Sequence, residues 1–158
     1  MTTSIFRKVL MVGLVAALPA TTFAGELDSF FHGTRPSIEG VWDSTVTLQV
    51  CGGGAIIRTF RALNLFEDDG SLVATSEAVP PPSLGRWRWL GGSTYRAQFQ
   101  YLRLGAGGVF EGMTRVTRQI QMAPDGKSFT SVVSTQFFDV ANTLFAEGCG
   151  KESATRVF

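Results

Sequence analysis

The 158-residue chain offers few side chains that could do chemistry. Its only histidine, His32, sits in an irregular stretch near the start. A Ser-His-Asp or Cys-His relay, or a haem ligand, would depend on it, and a lone histidine in such a stretch reads as an ordinary surface group. Two cysteines, Cys51 and Cys149, together with one histidine cannot supply the ligands of a metal site, so no metal is expected. Asp68-Asp69-Gly70 lacks the further spaced oxygen ligands of a calcium loop and reads as a turn. There is no phosphate loop and no HExxH motif, and no cofactor is expected.

What remains is charge on otherwise apolar faces. Arg118 alternates with Val116 and Ile120, Arg103 follows Tyr101, and Glu152 and Arg156 lie near the chain end. A charge withdrawn from water costs several kcal/mol unless it is paired. Three uses follow: an Arg–Glu network at one end of the fold, an arginine that meets a ligand carboxylate, or Glu152 as acid or base with Arg118 steering an anion. An aromatic set accompanies these charges: Trp87, Trp89, Tyr95, Phe99, Tyr101 and Phe110. With Arg118 and Glu152 they are the candidate ligand-binding residues, and the alternative is that the rings are simply core. No catalytic residue is assigned.

These side chains must be carried by strands. From Gly40 onward β-branched and aromatic residues recur, interrupted by turn chemistry at Cys51-Gly52-Gly53-Gly54, Glu67-Asp68-Asp69-Gly70, Gly91-Gly92, Gly105–Gly108 and Ala123-Pro124-Asp125-Gly126. The runs between turns predict strands at 41–51, 54–66, 71–77, 86–90, 94–104, 109–122, 127–138 and 143–157. Pro80-Pro81-Pro82 is expected to form the longest loop, because proline cannot donate to a central ladder. Alternation assigns faces. Trp42, Ser44, Val46 and Leu48 oppose Asp43, Thr45, Thr47 and Gln49, while Tyr95, Ala97, Phe99 and Tyr101 oppose Arg96, Gln98 and Gln100. Short links between successive runs predict an antiparallel up-and-down meander.

The start of the chain speaks to its destination. Arg7 and Lys8 precede an apolar run from Val9 to Leu18, and Thr22-Phe23-Ala24 presents small residues where a signal peptidase cuts. Residues 1–24 therefore read as a signal peptide, 25–38 as a leader, and 39–158 as one domain. The apolar run is about half the roughly 20 residues that cross a bilayer, so no membrane span is expected after cleavage. Of the 14 basic residues, Arg7 and Lys8 fall in the removed part, leaving 12 against 13 acidic ones. That balance argues against a nucleic-acid partner. A secreted or periplasmic protein with two cysteines is expected to pair them.

Pairing Cys51 with Cys149 argues for closure. In an open meander the first and last strands are the two far edges, whereas a disulfide needs its Cα atoms within about 4.4–6.8 Å. A register with Cys51 facing Cys149 sets Trp42 opposite Phe158 and Ser44 opposite Arg156. If the cysteines point outward, Glu152, Ala154, Arg156 and Phe158 point inward. The expected fold is an all-β, closed antiparallel barrel of about eight strands; the alternative is an immunoglobulin-like β-sandwich.

At Gly40-Val41-Trp42 the chain resembles the calycin superfamily, whose barrels begin their first strand with Gly-x-Trp. In lipocalins an arginine from near the chain end packs across that tryptophan, and Arg156 matches the role. The resemblance implies a barrel base built from Gly40, Trp42 and Arg156 and a small lipophilic or amphipathic molecule as partner. It covers roughly residues 38–158 as architecture and only these few residues as motif. The chain departs from lipocalins in having no room for their C-terminal helix, and from fatty-acid carriers in lacking their helical lid. A barrel enzyme of isomerase or cyclase type and a protein-interaction module with a filled core are the other functional readings.

Overall fold

The structure, a computed structural model, describes residues 37–158. Residues 1–36, on which the expected signal peptide, His32 and most of the expected leader fall, lie outside the described residues. Eight strands follow one another: β1 (Gly40–Gln49), β2 (Ile56–Phe66), β3 (Ser71–Ser76), β4 (Val79–Gly91), β5 (Thr94–Leu104), β6 (Phe110–Met122), β7 (Ser128–Phe138) and β8 (Leu144–Arg156). Each pairs antiparallel with the next, and β8 pairs with β1, so the sheet closes as an up-and-down barrel. The predicted fold class is the observed one, and the β-sandwich is set aside.

Period-two alternation carries the fold. The inward set of β5 is Tyr95, Ala97 and Phe99, with Tyr101 half-buried; the outward set, Arg96, Gln98 and Gln100, is exposed. The base of the barrel is filled. Trp42 lies tilted at 4.9 Å from Phe129, Phe66 meets Phe129 and Trp87 edge-on, and Trp87 lies 5.8 Å from Tyr95. Ile38, just ahead of β1, is fully buried in this cluster, and its carbonyl accepts the Trp42 indole N–H at 2.7 Å. Burial of such large apolar side chains stabilises by roughly 1.5–3 kcal/mol each.

Arg156 seals this end. It lies directly opposite Trp42 in the β1–β8 register, with its guanidinium carbon 4.3 Å from the indole centroid. Its Nε donates to the Gly126 carbonyl at 3.0 Å, and its two terminal nitrogens donate to the carbonyls of Ser37 and Glu39. Gly40 makes room for it. At φ +114° a side chain would be strained, and a Cβ there would come within 2.9 Å of Arg156 Nη1.

Three expectations are corrected. The disulfide forms, with Cα atoms 5.0 Å apart, but Cys51 lies past the end of β1 in the turn, and Cys149 pairs with Gln49. The β1–β8 register is therefore two residues away from the expected one: Trp42 faces Arg156, not Phe158. A two-residue shift preserves the faces, so Glu152 and Ala154 still point inward. Phe158, beyond the end of β8, is 85% exposed. Finally, Pro80–Pro82 belongs to β4 rather than a loop. The strand tolerates three prolines because they face a register shift on the β3 side and precede Leu84, the first β4 residue to pair with β5.

Candidate binding site inside the barrel

Above the aromatic base, a layer of buried polar groups crosses the interior. Arg118 (β6) donates from Nη1 to the Glu152 carboxylate (β8) at 3.0 Å and to Asn64 Oδ1 (β2) at 2.9 Å. Asn64 in turn donates to Ser44 Oγ at 2.8 Å and to Glu152 Oε1 at 3.3 Å, while the Ser131 hydroxyl donates to Glu152 Oε2 at 2.7 Å. The Arg118 guanidinium also lies over the Phe99 ring, 4.5 Å from its centroid. The Arg118 and Glu152 side chains are 4% and 0% exposed. Burial pulls the Arg118 pKa down, and the neighbouring Glu152 charge opposes that shift. Among the described residues three buried polar atoms lack a hydrogen-bond partner: Arg118 Nε in this layer, the Thr114 hydroxyl and Arg103 Nε. A buried polar atom without a partner costs about 1–3 kcal/mol.

On the far side of this layer from the base is a cavity of about 110 Å³. Its wall includes Val46 and Leu48 from β1, Phe60 and Ala62 from β2, Phe99 and Tyr101 from β5, Val116 from β6, and Val133 and Phe137 from β7. Arg118, Thr75, Ser76, Ser83 and Thr135 are its polar lining. The cavity is apolar with a few convergent polar groups, as ligand sites are, but much smaller than the roughly 300–1,000 Å³ usual for them. A larger depression of about 590 Å³ lies on the outer wall across β6, β7, β8 and β1, bordered by Thr45, Thr130, Lys151 and Ser153. That depression is open to solvent and offers no enclosed apolar wall.

Of the eight candidate ligand-binding residues, Phe99, Tyr101 and Arg118 line the cavity. Trp87 and Tyr95 lie among the rings of the base. Glu152 belongs to the polar layer, with both carboxylate oxygens accepting bonds from protein donors. Trp89 and Phe110 are 44% and 46% exposed, and neither lines the cavity. Trp89 keeps the inward parity of β4, opposite Tyr95, but stands at the last in-register position of the ladder, and Phe110 lies beyond the register shift between Arg103 and Leu104. Sequence reasoning missed Phe60, Val133 and Phe137. Their signal was present in the even or odd spacing of apolar residues on β2 and β7, but neither strand sets a charge among its inward apolar residues to draw notice, the arginines of β2 (Arg58 and Arg61) being exposed.

Among the described residues no group of acids, cysteines or histidines could hold a metal. No protein-family model, curated protein or solved structure matches the chain. The fold and site define an eight-stranded, up-and-down antiparallel barrel with a filled base, a charged middle layer and a small apolar cavity above it.

Proposed function

We propose that this is an exported, calycin-type barrel that binds a compact apolar or amphipathic molecule in the cavity above Arg118. The observation that carries the reading is a partly open, largely apolar cavity bordered by a buried arginine with an unused donor. Gly40, Trp42 and Arg156 support the calycin kinship through their shared packing at the base. The cavity limits the ligand. An engineered apolar cavity of 150 Å³ accommodates benzene, so about 110 Å³ suits a body of a few heavy atoms, or the buried end of a longer molecule. A hydrogen-bond acceptor or carboxylate on that end would face the only cation in the wall.

The test is native mass spectrometry and calorimetry on the purified protein with small aromatic and short-chain carboxylic acids. Binding is expected for the wild type and lost in Val133→Phe, which fills the cavity. A dry cavity with no uptake, and identical behaviour of wild type and Val133→Phe, would sink the proposal. The enzyme reading gains no support from Glu152, because Arg118, Asn64 and Ser131 already engage its oxygens.

A further inference from the structure

The ladder registers lay the outer wall out in rows that run across the strands. One row reads Arg88, Arg96, Gln119, Val132, Lys151 and Thr47, from β4 through β8 to β1, each directly opposite the next. All are exposed except Thr47, which is half-buried. The adjacent rows are amides and hydroxyls, with Gln98, Thr117 and Ser134 on the cavity side and Gln121, Thr130 and Ser153 on the base side. No acid stands among them. Glu147 and Asp43 lie beyond these rows, the first accepting from Gln136 Nε2 and the second paired with Arg61.

Charge is segregated around the barrel. From Ala78 to Pro124 the chain carries Arg86, Arg88, Arg96, Arg103, Arg115 and Arg118 against a single acid, Glu111. Four of these arginines are engaged: Arg118 by Glu152, Arg103 by the carbonyls of Glu111 and Phe138, Arg115 over the Phe138 ring, and Arg86 by the Asp69 carbonyl beside the acidic turn. Arg88 and Arg96 are left, with Lys151 farther along their row. Among the described residues none of these three has an ion-pair partner. Arg88 and Arg96 stand directly opposite each other, and like charges so placed destabilise a sheet. A bound anion would relieve them.

The wall is also hollowed here. The depression of about 590 Å³ is bordered by Gln119, Thr130, Lys151 and Ser153, and another of about 320 Å³ lies at Arg88, Arg96 and Gln98. Arg96 and Gln119 are ladder neighbours, so the two hollows adjoin. At about 4.8 Å per strand, Arg96 and Lys151 are about 14 Å apart along the wall.

We propose that this wall binds an acidic polysaccharide of low charge density, in which uronic acid units are separated by neutral sugars. Arginine forks match carboxylates, and the amides and hydroxyls between the cations match sugar hydroxyls. Other polymers fit worse. Duplex nucleic acid carries a charge about every 1.7 Å, far denser than these cations. A single strand needs aromatic platforms for its bases, and the rows contain no ring. A protein partner needs an apolar centre, whereas Val132 is the one large apolar side chain in the rows. The proposal is independent of what fills the cavity.

The full sequence is expressed, and the recovered protein is titrated by calorimetry at low salt with hyaluronan oligosaccharides, in which glucuronate alternates with a neutral amide sugar. Binding is expected, and it should weaken as salt screens the charges. Arg88→Ala, Arg96→Ala and Lys151→Ala should each lower the affinity about tenfold, since each removes a hydrogen bond between charged groups. Lys151→Arg should retain it. Arg58→Ala, which removes an exposed cation of β2 outside the rows, should change nothing. In the wild type, where no variant has to fold, hyaluronan should shift the amide resonances of Gln119, Val132 and Lys151. Absence of binding, row substitutions that leave it intact, an equal loss in Arg58→Ala, or heparin or duplex DNA bound as tightly would each overturn the proposal.

Discussion

Arg118 and Glu152 form an ion pair at 3.0 Å in the centre of the barrel, with both side chains almost wholly withdrawn from water. The pair is a structural tie between β6 and β8 as well as a border of the cavity. Glu152→Ala strands the arginine charge and should destabilise the protein by about 3–5 kcal/mol. The double replacement Arg118→Met with Glu152→Leu should recover most of that loss. Urea denaturation of the three proteins measures both effects. Equal destabilisation by the single and double replacements would contradict the pairing.

The Cys51–Cys149 bridge closes a separation of 98 residues. In the chain-entropy model a loop of that length is worth up to about 4.7 kcal/mol, and losing a native bridge commonly costs about 2–5 kcal/mol. The double variant Cys51→Ser, Cys149→Ser should therefore keep the strand signature in far-ultraviolet circular dichroism and unfold at lower denaturant concentration. Thiol titration of the wild type should find no free sulfhydryl.

Replacing Arg156 by lysine keeps the charge but loses the planar group over Trp42 and the divergent donors to Ser37, Glu39 and Gly126. A loss of about 1–2 kcal/mol is expected. Thermal unfolding reads the stability, and tryptophan emission should shift to the red as the base loosens. An unchanged midpoint would mean that the lid contributes nothing net.

Asp69 supplies a pH dependence. Hydrogen bonds from the Ser71 hydroxyl and amide, at 2.9 and 2.7 Å, hold its carboxyl below the usual range. A folded pKa below the unfolded one adds stability above the ordinary carboxylate value of about 3.9, and that stability is lost as pH falls through the folded value. Asp69→Ala should thus be less stable than wild type at neutral pH, with the gap narrowing in acid. Denaturation midpoints across that range provide the check, and a gap that widens in acid would refute the assignment.

Much of the barrel was legible because its rule is local. Alternation in β5 and β6 names the inward residues without knowledge of their partners, and Arg118 stood out as a charge among them. That Trp42 and Arg156 share the inward face followed from parity, which survives a two-residue slip; that they stand directly opposite each other did not. The register itself did not follow, because a disulfide joining a turn to a strand fixes proximity rather than row. The Pro80–Pro82 segment was misread for a similar reason: whether a strand residue needs its amide depends on whether a neighbour reaches that height. The cavity was illegible in principle. Phe99 and Tyr95 have the same spacing and character, yet one borders a space and the other is core, because volume is settled by all eight strands together.

The six-residue β3 has a mechanical result. Ladder pairing between β2 and β3 begins only at Ala62, and pairing between β4 and β5 ends at Gln100, so Ile56–Phe60 and Tyr101–Leu104 each lack a ladder neighbour on one flank. The tube is complete only to that height, and a window opens above it on the side of the short hairpin. On the other flank of the β1–β2 pair, the covalent bridge ties β8 to the turn after β1. Breathing of the molecule should therefore start at the window: amides on these two bare flanks exchange their hydrogens with water early, and those along the braced β8–β1 seam exchange late.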